Sequence, residues 1–217
     1  MNFRRGLKMS PASRPRLIAI TGNIASGKTE VCNWFQNKGY KVYYADKIAH
    51  ECLQDDFVKK QLLLKFGKQI FNKKMDIDRE KLGKIVFSDK EKLKFLNNIV
   101  HPLVREKMQA IIDKSKEEMI IFEIPLLFES GLENSFDLTI NISITPEKQI
   151  ERLYQREGAN KNEQQQRIGH QLSNDKKNEK SDLIIDNNSD KEDLYNQLHK
   201  IEKFMQRIPR KQVDRLS

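Results

Sequence analysis

The sequence predicts an α/β fold in which a parallel sheet of five strands lies between layers of helices. Five short apolar runs have the length and composition of buried strands. Segments with apolar residues at helical spacing separate these runs. A loop with two glycines five positions apart joins the first run to the first helical segment. The runs are residues 17–21 (LIAIT), 41–46 (KVYYAD), 119–125 (MIIFEIP), 138–144 (LTINISI) and 182–186 (DLIID).

The segments between the runs are predicted to be helices. The first begins after the glycine loop and is expected to end near Gly39. Residues 79–113 are interpreted as helices with short breaks. One break is expected at His101-Pro102, because the residue before a proline is disfavoured in the helical conformation. Residues 190–208 predict a last amphipathic helix, which completes the alternating pattern.

The composition limits the class of protein. The chain has 217 residues, of which 37% are hydrophobic and 33% charged, as in a helix-rich globular domain. No apolar run approaches the roughly 20 residues that cross a bilayer, and the basic start lacks a signal-peptide core. We therefore expect a cytoplasmic protein without a membrane partner. Cys32 and Cys52 are too few for a disulfide framework and are expected to be buried thiols.

The net charge of +9 lies in the two tails. Residues 1–16 contribute +5 and residues 200–217 contribute +4, so residues 17–199 are neutral overall. Charge runs in tails are usually solvated, and a nucleic-acid partner is therefore not expected. The predicted organisation is a basic extension over 1–16, one folded domain over 17–208 and a basic tail over 209–217.

Residues 22–29, GNIASGKT, match the P-loop pattern G-x-x-x-x-G-K-[ST]. Glycines let the backbone fold around a phosphate, so that N–H groups point inward beside the positive end of the next helix. Lys28 would reach the terminal phosphates, and the Thr29 hydroxyl would hold Mg²⁺. The pattern indicates that the chain binds ATP together with Mg²⁺. The residues expected to contact ATP are Gly22, Asn23, Ile24, Ala25, Ser26, Gly27, Lys28, Thr29 and Glu30.

The rest of the chain favours a small kinase over the other classes of protein that carry a P-loop. The guanine-binding pattern Asn-Lys-x-Asp is missing, since NKKMD at 72–76 has the wrong spacing. The chain is short, and no second nucleotide-binding half is found in it. The predicted fold is a three-layer P-loop NTPase fold. In a small kinase of this fold, the second substrate must enter the same cleft as the nucleotide.

Two acidic residues are expected at the carboxyl ends of strands, where ligands gather in an open α/β sheet. Asp46 ends the second strand candidate and could take the proton of an acceptor hydroxyl. The alternative is that Asp46 caps the helix that follows it. Glu123 ends the third strand candidate and could hold Mg²⁺ through water. The alternative for Glu123 is an ordinary acid at a strand end.

The polar segment over 148–180 is predicted to be a lid over the P-loop. Arg152 and Arg156 are four residues apart and share a helix face, and Arg167 lies across a turn. An arginine that closes over the transferring group can stabilise its charge, and a lid also keeps water away from the phosphate. The alternative is a solvated, charged helix.

Several further stretches give the chain a resemblance to a known enzyme family. Together with the P-loop they cover about residues 17–188, and they are more specific than the P-loop. The chain resembles the dephospho-CoA kinases, the last enzymes of coenzyme A synthesis. The matching stretches are YYAD with KIAH (43–50), IDREKLGKIVFSDKEKLKFLNNIVHPLVRE (77–106), EIPLLFES (123–130), QIERLYQR (149–156), RIGHQ (167–171) and DLIIDNN (182–188).

The resemblance implies a fold and a reaction. The fold is a five-stranded core with a lid and a helical region, over about 51–118, that binds the CoA-like substrate. The core would comprise about 17–50, 119–147 and 181–208. The reaction is ATP-dependent phosphorylation of the ribose 3′-hydroxyl of dephospho-CoA. ATP and dephospho-CoA are then the expected small-molecule partners, and we expect a monomer or a small homo-oligomer.

The resemblance also implies roles for single residues. Asp46 matches the catalytic base, and Arg152 and Arg156 match lid arginines that would act with Lys28 in catalysis. Asn187 belongs to the segment beside which the adenine of ATP is expected, and Arg156 would also contact ATP. The residues expected to contact the acceptor are Asp46, His50, Arg79, His101, Pro125 and Leu126.

Three positions depart from the family pattern. Asn23 stands where glycine is frequent, but asparagine tolerates the left-handed conformation, so the loop can still form. Tyr44 stands where an acid is often found. His50 replaces the usual arginine and would grip substrate phosphates only weakly at neutral pH. His101 also has a structural interpretation, as a hydrogen-bonded histidine that stabilises a helix break.

Three alternatives stay open from the residues alone. The chain could be another small kinase, acting on a nucleoside or a nucleoside monophosphate. It could be a nucleotide-dependent RNA-binding module that uses the basic tails. It could also be a family member that binds ATP without turnover, for which the change at His50 gives slight support. The identity of the phosphate acceptor distinguishes the first alternative from a dephospho-CoA kinase.

Overall fold

The computed structural model describes residues 14–155, 171–211 and 215–216. Within them, five strands form one sheet in the order β2-β3-β1-β4-β5, and all neighbouring strands are parallel. This arrangement confirms the predicted α/β class and the predicted strand count. The strands are β1 (Arg16–Gly22), β2 (Lys41–Tyr44), β3 (Met119–Glu123), β4 (Leu138–Ser143) and β5 (Leu183–Asp186).

Helices separate the strands along the chain. Two short 3₁₀ turns lie at Lys68–Ile70 and Glu133–Ser135. Within the described part of the chain, no helix is both long enough and apolar enough to span a bilayer. The α-helices are α1 (Lys28–Asn37), α2 (Ala45–Cys52), α3 (Asp56–Phe66), α4 (Arg79–Val86), α5 (Lys90–Lys114), α6 (Pro146–Gln155), α7 (Asn174–Lys180) and α8 (Lys191–Met205).

The chain divides into two compact units. The sheet unit comprises the residues up to Tyr44 and those from Ile112 to Leu216, and it holds all five strands with α1, α6, α7 and α8. The helical unit, Ala45–Ile111, holds α2, α3, α4 and most of α5. Helix α3 begins at the N-cap Asp55, whose carboxylate accepts hydrogen bonds from the N–H groups of Phe57 and Val58.

The core of the sheet unit explains why the strands are continuous apolar runs. Strands β3 and β4 are buried along their whole length, and β1 is buried after its first residue. A strand covered on both faces needs no polar alternation. Helix α1 packs Val31 and Phe35 into the same core as Leu198 and Met205 of α8. Each fully buried aliphatic side chain contributes about 1.5–3 kcal/mol to stability.

The register aligns the carboxyl ends of the central strands. Glu123, the last residue of β3, is in register with Ile20 of β1 and with Tyr44 of β2. Gly22, at the end of β1, is in register with Ile142 of β4. Strand β2 is therefore separated by β3 alone from β1, the strand that leads into the P-loop.

The prediction that the second strand extends to Asp46 was wrong. Strand β2 ends at Tyr44, and Ala45 and Asp46 form the start of α2. Alanine is the best helix former, and an acidic side chain in the first turn interacts favourably with the helix dipole. Asp46 therefore lies inside the first turn of a helix, where its side chain is exposed.

The predicted helix break at His101-Pro102 was also wrong. Helix α5 runs without interruption through Pro102, which is exposed. Val100, Val104 and Met108 follow at intervals of four and are all buried, so the packing of one face continues across the proline. Proline has no N–H to donate to the carbonyl four residues before it, and on an exposed face of a helix water can take the place of that donor.

The two ends of the described chain meet at Asp137, a buried residue just before β4. Arg14 donates to both Asp137 carboxylate oxygens, at 2.6 and 2.7 Å, and the two side chains are fully buried. The backbone N–H groups of Leu17 and Lys211 donate to the same carboxylate. Arg14, assigned from the sequence to a basic extension, thus belongs to the fold.

The last helix and the cysteines agree with the sequence expectations. Helix α8 buries Met205 completely, whereas Phe204 is 48% exposed, so Met205 is the residue on the apolar face. Cys32 and Cys52 are both buried free thiols. Burial, together with the negative charge of Glu123, raises the pKa of Cys32 to about 12, so this thiol stays protonated.

Candidate active site

The P-loop requires glycine at both ends because of its backbone geometry. Gly22 has a φ of 150° and Gly27 a φ of 96°. A Cβ on Gly22 would lie 2.6 Å from the Ser26 hydroxyl and 2.7 Å from the carbonyl of Ile142. A Cβ on Gly27 would lie 2.1 Å from Nδ2 of Asn187. At both positions, therefore, nearby atoms as well as the backbone conformation exclude a side chain.

The residue with a left-handed backbone between the two glycines is Ala25, not Asn23. Ala25 has a φ of 63°, and among the described residues only Met75 also combines a side chain with positive φ. Asn23 is buried and its carbonyl accepts a hydrogen bond from the Ser26 N–H at 3.1 Å. The expectation that asparagine would serve this loop through left-handed geometry was therefore wrong about the position.

Lys28 begins helix α1 and lies at the mouth of the loop. Its Nζ donates to the carbonyls of Gly22 at 2.9 Å and Asn23 at 3.0 Å, and it lies 4.0 Å from Oε1 of Glu123. Among the described residues, no side chain caps the N-terminus of α1. An uncapped helix N-terminus beside a lysine is well suited to bind an anion.

Glu123 and Thr29 are the residues that the sequence assigned to Mg²⁺. Glu123 is the last residue of β3 and is buried, at the carboxyl edge of the sheet next to Lys28. Thr29 is exposed in the first turn of α1. Glu30, in the same turn, accepts hydrogen bonds from Tyr195 at 2.6 Å and pairs with Lys191 at 2.8 Å, and these contacts lower its pKa.

Arg152 and Asn187 contact the outer face of the P-loop. The Arg152 guanidinium donates to the carbonyl of Asn187 at 2.9 Å and, at 3.4 Å, to the carbonyls of Ala25 and Ser26. Asn187 is buried, and its Nδ2 donates to the Ser26 carbonyl at 2.7 Å. The structure thus brings two predicted site residues to the loop. Arg156 lies outside the described residues, as does Arg167.

Three of the residues expected to contact the acceptor lie in the helical unit near one another. Asp46 and His50 share a face of α2, and Arg79 begins α4. Burial lowers the pKa of His50, and the positive charge of Arg79 lowers it further, against the opposing effect of Asp46. The imidazole of His50 is therefore neutral at neutral pH.

His101 lies elsewhere in the helical unit, within the continuous helix α5. Burial lowers its pKa, and the neighbouring Arg105 acts in the same direction. Its interpretation as the residue that stabilises a helix break does not hold, because the break does not exist.

The segment after β3 is held by a lysine that the sequence analysis did not single out. Lys177 of α7 is fully buried; its Nζ donates to the carbonyl of Pro125 at 2.7 Å and pairs with Glu129 at 3.1 Å. Burial lowers the pKa of Lys177, while Glu129 opposes that shift. The Thr21 hydroxyl also donates to the Pro125 carbonyl, whereas Leu126 is exposed. One lysine among many in a polar segment carries no sequence signal that marks it as buried.

Comparisons with known proteins identify the family. A sequence model described as dephospho-CoA kinase matches residues 16–193. The chain belongs to the dephospho-CoA kinase family. A dephospho-CoA kinase of Fusobacterium nucleatum is 40% identical over 192 residues, which are 88% of this chain and 98% of that protein.

Solved structures agree with the assignment to the dephospho-CoA kinase family. A dephospho-CoA kinase from Campylobacter jejuni is similar with a TM-score of 0.63 and 33% identity, over 86% of this chain and 95% of that one. A protein from Thermus thermophilus named TT1252 is similar with a TM-score of 0.76 and 30% identity, over 88% of this chain and 97% of that one. Both matches extend over the sheet unit and the helical unit.

The residues of this dephospho-CoA kinase family member fit a magnesium ion that arrives with a nucleotide. No group of three His, Cys, Asp or Glu side chains suited to a metal ion occurs within residues 14–155, 171–211 and 215–216. Mg²⁺ usually keeps several waters and takes one or two carboxylates together with substrate phosphates. The buried carboxylate of Glu123 beside Lys28 is compatible with that kind of site.

Proposed function

We propose that this protein catalyses the ATP-dependent phosphorylation of the ribose 3′-hydroxyl of dephospho-CoA, which gives coenzyme A. The observation that carries the proposal is a complete phosphate-binding loop at 22–29 in a chain that matches the dephospho-CoA kinase family over residues 16–193. The loop provides the binding site for the phosphates of the donor nucleotide, and the membership of the family indicates that the acceptor is dephospho-CoA. We expect the protein to be a cytoplasmic monomer or a small homo-oligomer.

The donor nucleotide is proposed to bind through the P-loop, from Gly22 to Glu30. The N–H groups of the loop other than that of Ile24, which bonds to Gln171, and those of the first turn of α1 would surround the phosphates. Lys28 would exchange its carbonyl contacts for phosphate oxygens. Asn187 and Arg152 support this assignment because both contact the loop from the side of β5 and α6. Arg156 is proposed to stabilise the transferring group, in which charge spreads over three oxygens.

The acceptor is proposed to meet its base at Asp46. Asp46 lies two residues after Tyr44, the last residue of β2, and β2 is in register with β3 at Glu123. An exposed carboxylate in the first turn of a helix is accessible to an acceptor hydroxyl and can take its proton. The further acceptor contacts proposed are His50, Arg79, His101, Pro125 and Leu126.

Magnesium is proposed to be held by the Thr29 hydroxyl and by Glu123, the latter through water. The ion would neutralise charge that develops on the phosphate oxygens. The protein's own share is to orient these two oxygen ligands at the loop and to keep the Lys28 ammonium beside them. Removal of the divalent ion with a chelator should abolish turnover, and addition of Mg²⁺ should restore it.

The test is an acceptor panel with purified protein and Mg-ATP. Dephospho-CoA should yield coenzyme A phosphorylated at the 3′ position, while uridine and AMP should yield no product. Turnover of uridine or AMP without turnover of dephospho-CoA would refute the assignment in favour of another small kinase. ATP binding without turnover of any acceptor would instead indicate a family member that has lost its activity.

A further inference from the structure

One residue of the P-loop, Ile24, forms hydrogen bonds through both its backbone N–H and its backbone carbonyl with glutamines that lie outside the motif. Oε1 of Gln171 accepts a hydrogen bond from the Ile24 N–H at 3.0 Å. Nε2 of Gln149 donates to the Ile24 carbonyl at 2.9 Å. Each amide has only one orientation that suits its partner, because an N–H needs an acceptor and a carbonyl needs a donor.

Both glutamines are attached to well-anchored parts of the sheet unit. Gln149 lies in the first turn of α6, and its own N–H bonds to the Thr145 carbonyl at 2.9 Å. Next to Gln171, the N–H of Leu172 donates to Oε1 of Glu129 at 2.8 Å. Glu129 is in turn paired with the fully buried Lys177. The two side chains therefore present their amides from fixed backbone positions.

A phosphate-binding loop needs such support for a physical reason. When its N–H groups turn inward to a phosphate, its carbonyls turn outward and need donors. The carbonyls of residues 24, 25 and 26 accept, in order, from Gln149, from Arg152, and from Arg152 together with Asn187. Ile24 also precedes Ala25, whose left-handed conformation persists only if the surroundings impose it.

We propose that Gln149 and Gln171 are positioning residues that hold the P-loop in its phosphate-binding shape. They act by holding the backbone N–H and carbonyl of Ile24 and do not contact the phosphates themselves. The inference rests on the proposed function only in taking Mg-ATP as the nucleotide, and it is independent of the identity of the acceptor.

The chain offers a matched pair of substitutions with which to test this. Gln149→Glu places a carboxylate against the Ile24 carbonyl, where two acceptors face each other. Gln171→Glu places the same charge beside the backbone N–H of the same residue and can still accept from that N–H. Gln155→Glu, at an exposed position of α6, adds the same charge away from the Ile24 backbone, at the expense of an exposed hydrogen bond that Gln155 donates to Glu151. The three variants differ in charge by the same amount, so only the hydrogen-bond polarity separates the first two.

The readout is the dissociation constant for Mg-ATP, measured by calorimetry with the whole protein, together with the unfolding temperature. We expect Gln149→Glu to weaken binding about tenfold relative to Gln171→Glu, which corresponds to about 1.4 kcal/mol. Gln171→Glu should stay within about twofold of Gln155→Glu, and the unfolding temperatures of all three variants should be similar. Equal dissociation constants for Gln149→Glu and Gln171→Glu would overturn the proposal. So would a weakened binding that follows the unfolding temperature alone.

This experiment separates the inference from the proposed function. Nucleotide affinity is measured without any acceptor, so a wild-type protein that fails to phosphorylate dephospho-CoA still gives a valid comparison. Conversely, a wild-type protein that makes coenzyme A while both glutamate variants bind Mg-ATP like wild type would sustain the function and refute the positioning role.

Discussion

A single methyl group at Gly27 should damage the P-loop through a contact that the motif itself does not reveal. In Gly27→Ala the new Cβ would lie 2.1 Å from Nδ2 of Asn187, closer than any real contact allows. Asn187 is buried and donates to the Ser26 carbonyl at 2.7 Å, and its own carbonyl accepts from Arg152. The substitution must therefore displace the residue that joins the loop to β5.

Two costs combine in Gly27→Ala. A left-handed conformation, here with a φ of 96°, costs an ordinary residue about 1–2 kcal/mol. Loss of the Asn187 hydrogen bond leaves the carbonyl of the buried Ser26 with only a long contact to Arg152, and an unmet buried acceptor costs about 1–3 kcal/mol. The sum is roughly 2–5 kcal/mol. Because the loop can deform locally, we expect the cost to appear in nucleotide affinity, and 2 kcal/mol corresponds to about a 30-fold loss.

Gly39→Ala provides the matched control. Gly39 has a φ of 92°, but a Cβ there would meet nothing within 4 Å among the described residues. It should lose about 1–2 kcal/mol in urea unfolding through backbone strain, with an unchanged dissociation constant for Mg-ATP. The assay is calorimetric titration of both variants with Mg-ATP, beside their unfolding curves. If Gly27→Ala binds Mg-ATP within about threefold of wild type, the steric argument is wrong.

Three further predictions concern other parts of the molecule. Asp46→Asn should leave Mg-ATP affinity within about threefold of wild type while turnover of dephospho-CoA falls about 10²–10⁴-fold, as expected for a lost general base; parallel loss of both would indicate a structural aspartate. Lys177→Met should cost about 1–3 kcal/mol in urea unfolding, because the Pro125 carbonyl loses a buried donor and Glu129 loses its partner, whereas Lys84→Met at an exposed ion pair should stay within about 0.5 kcal/mol; similar losses would contradict this. His50→Arg should lower KM for dephospho-CoA several-fold at pH 7.5, because the lowered pKa leaves His50 uncharged there whereas arginine carries a positive charge. An unchanged KM would show that residue 50 does not contact the phosphates of the acceptor.

The strands could be predicted from the sequence because a buried parallel strand needs a continuous apolar run, which is a local property. All five runs became strands of one parallel sheet. The ends of elements were less accessible. Tyr44 and Asp46 belong to one uninterrupted stretch of sequence, yet a strand ends at the first and a helix contains the second. A local rule also failed at Pro102, because the packing of a long helix outweighed the preference of the residue before proline.

The candidate site divides in the same way. The P-loop could be read from eight consecutive residues, because neighbours along the chain create the anion site. Its supports could not, since Gln149, Gln171 and Asn187 reach the loop from distant segments. All three lie in stretches that resemble the family, but the resemblance gave a role only to Asn187, as a residue near ATP, and none to Gln149 or Gln171. Lys177 was missed because burial of a lysine depends on a partner, Glu129, some fifty residues away in the chain.

By itself, the sequence determined the α/β class, the position of the phosphate-binding loop and the family, because each depends on runs or motifs whose physics is local. The tertiary structure alone decided which side chains satisfy the outward carbonyls of that loop, that Ala25 takes the left-handed position, and that Arg14 closes a buried ion pair with Asp137. These features depend on contacts between residues far apart in the chain. Such contacts arise only when burial excludes water and each polar group must find a partner within the protein.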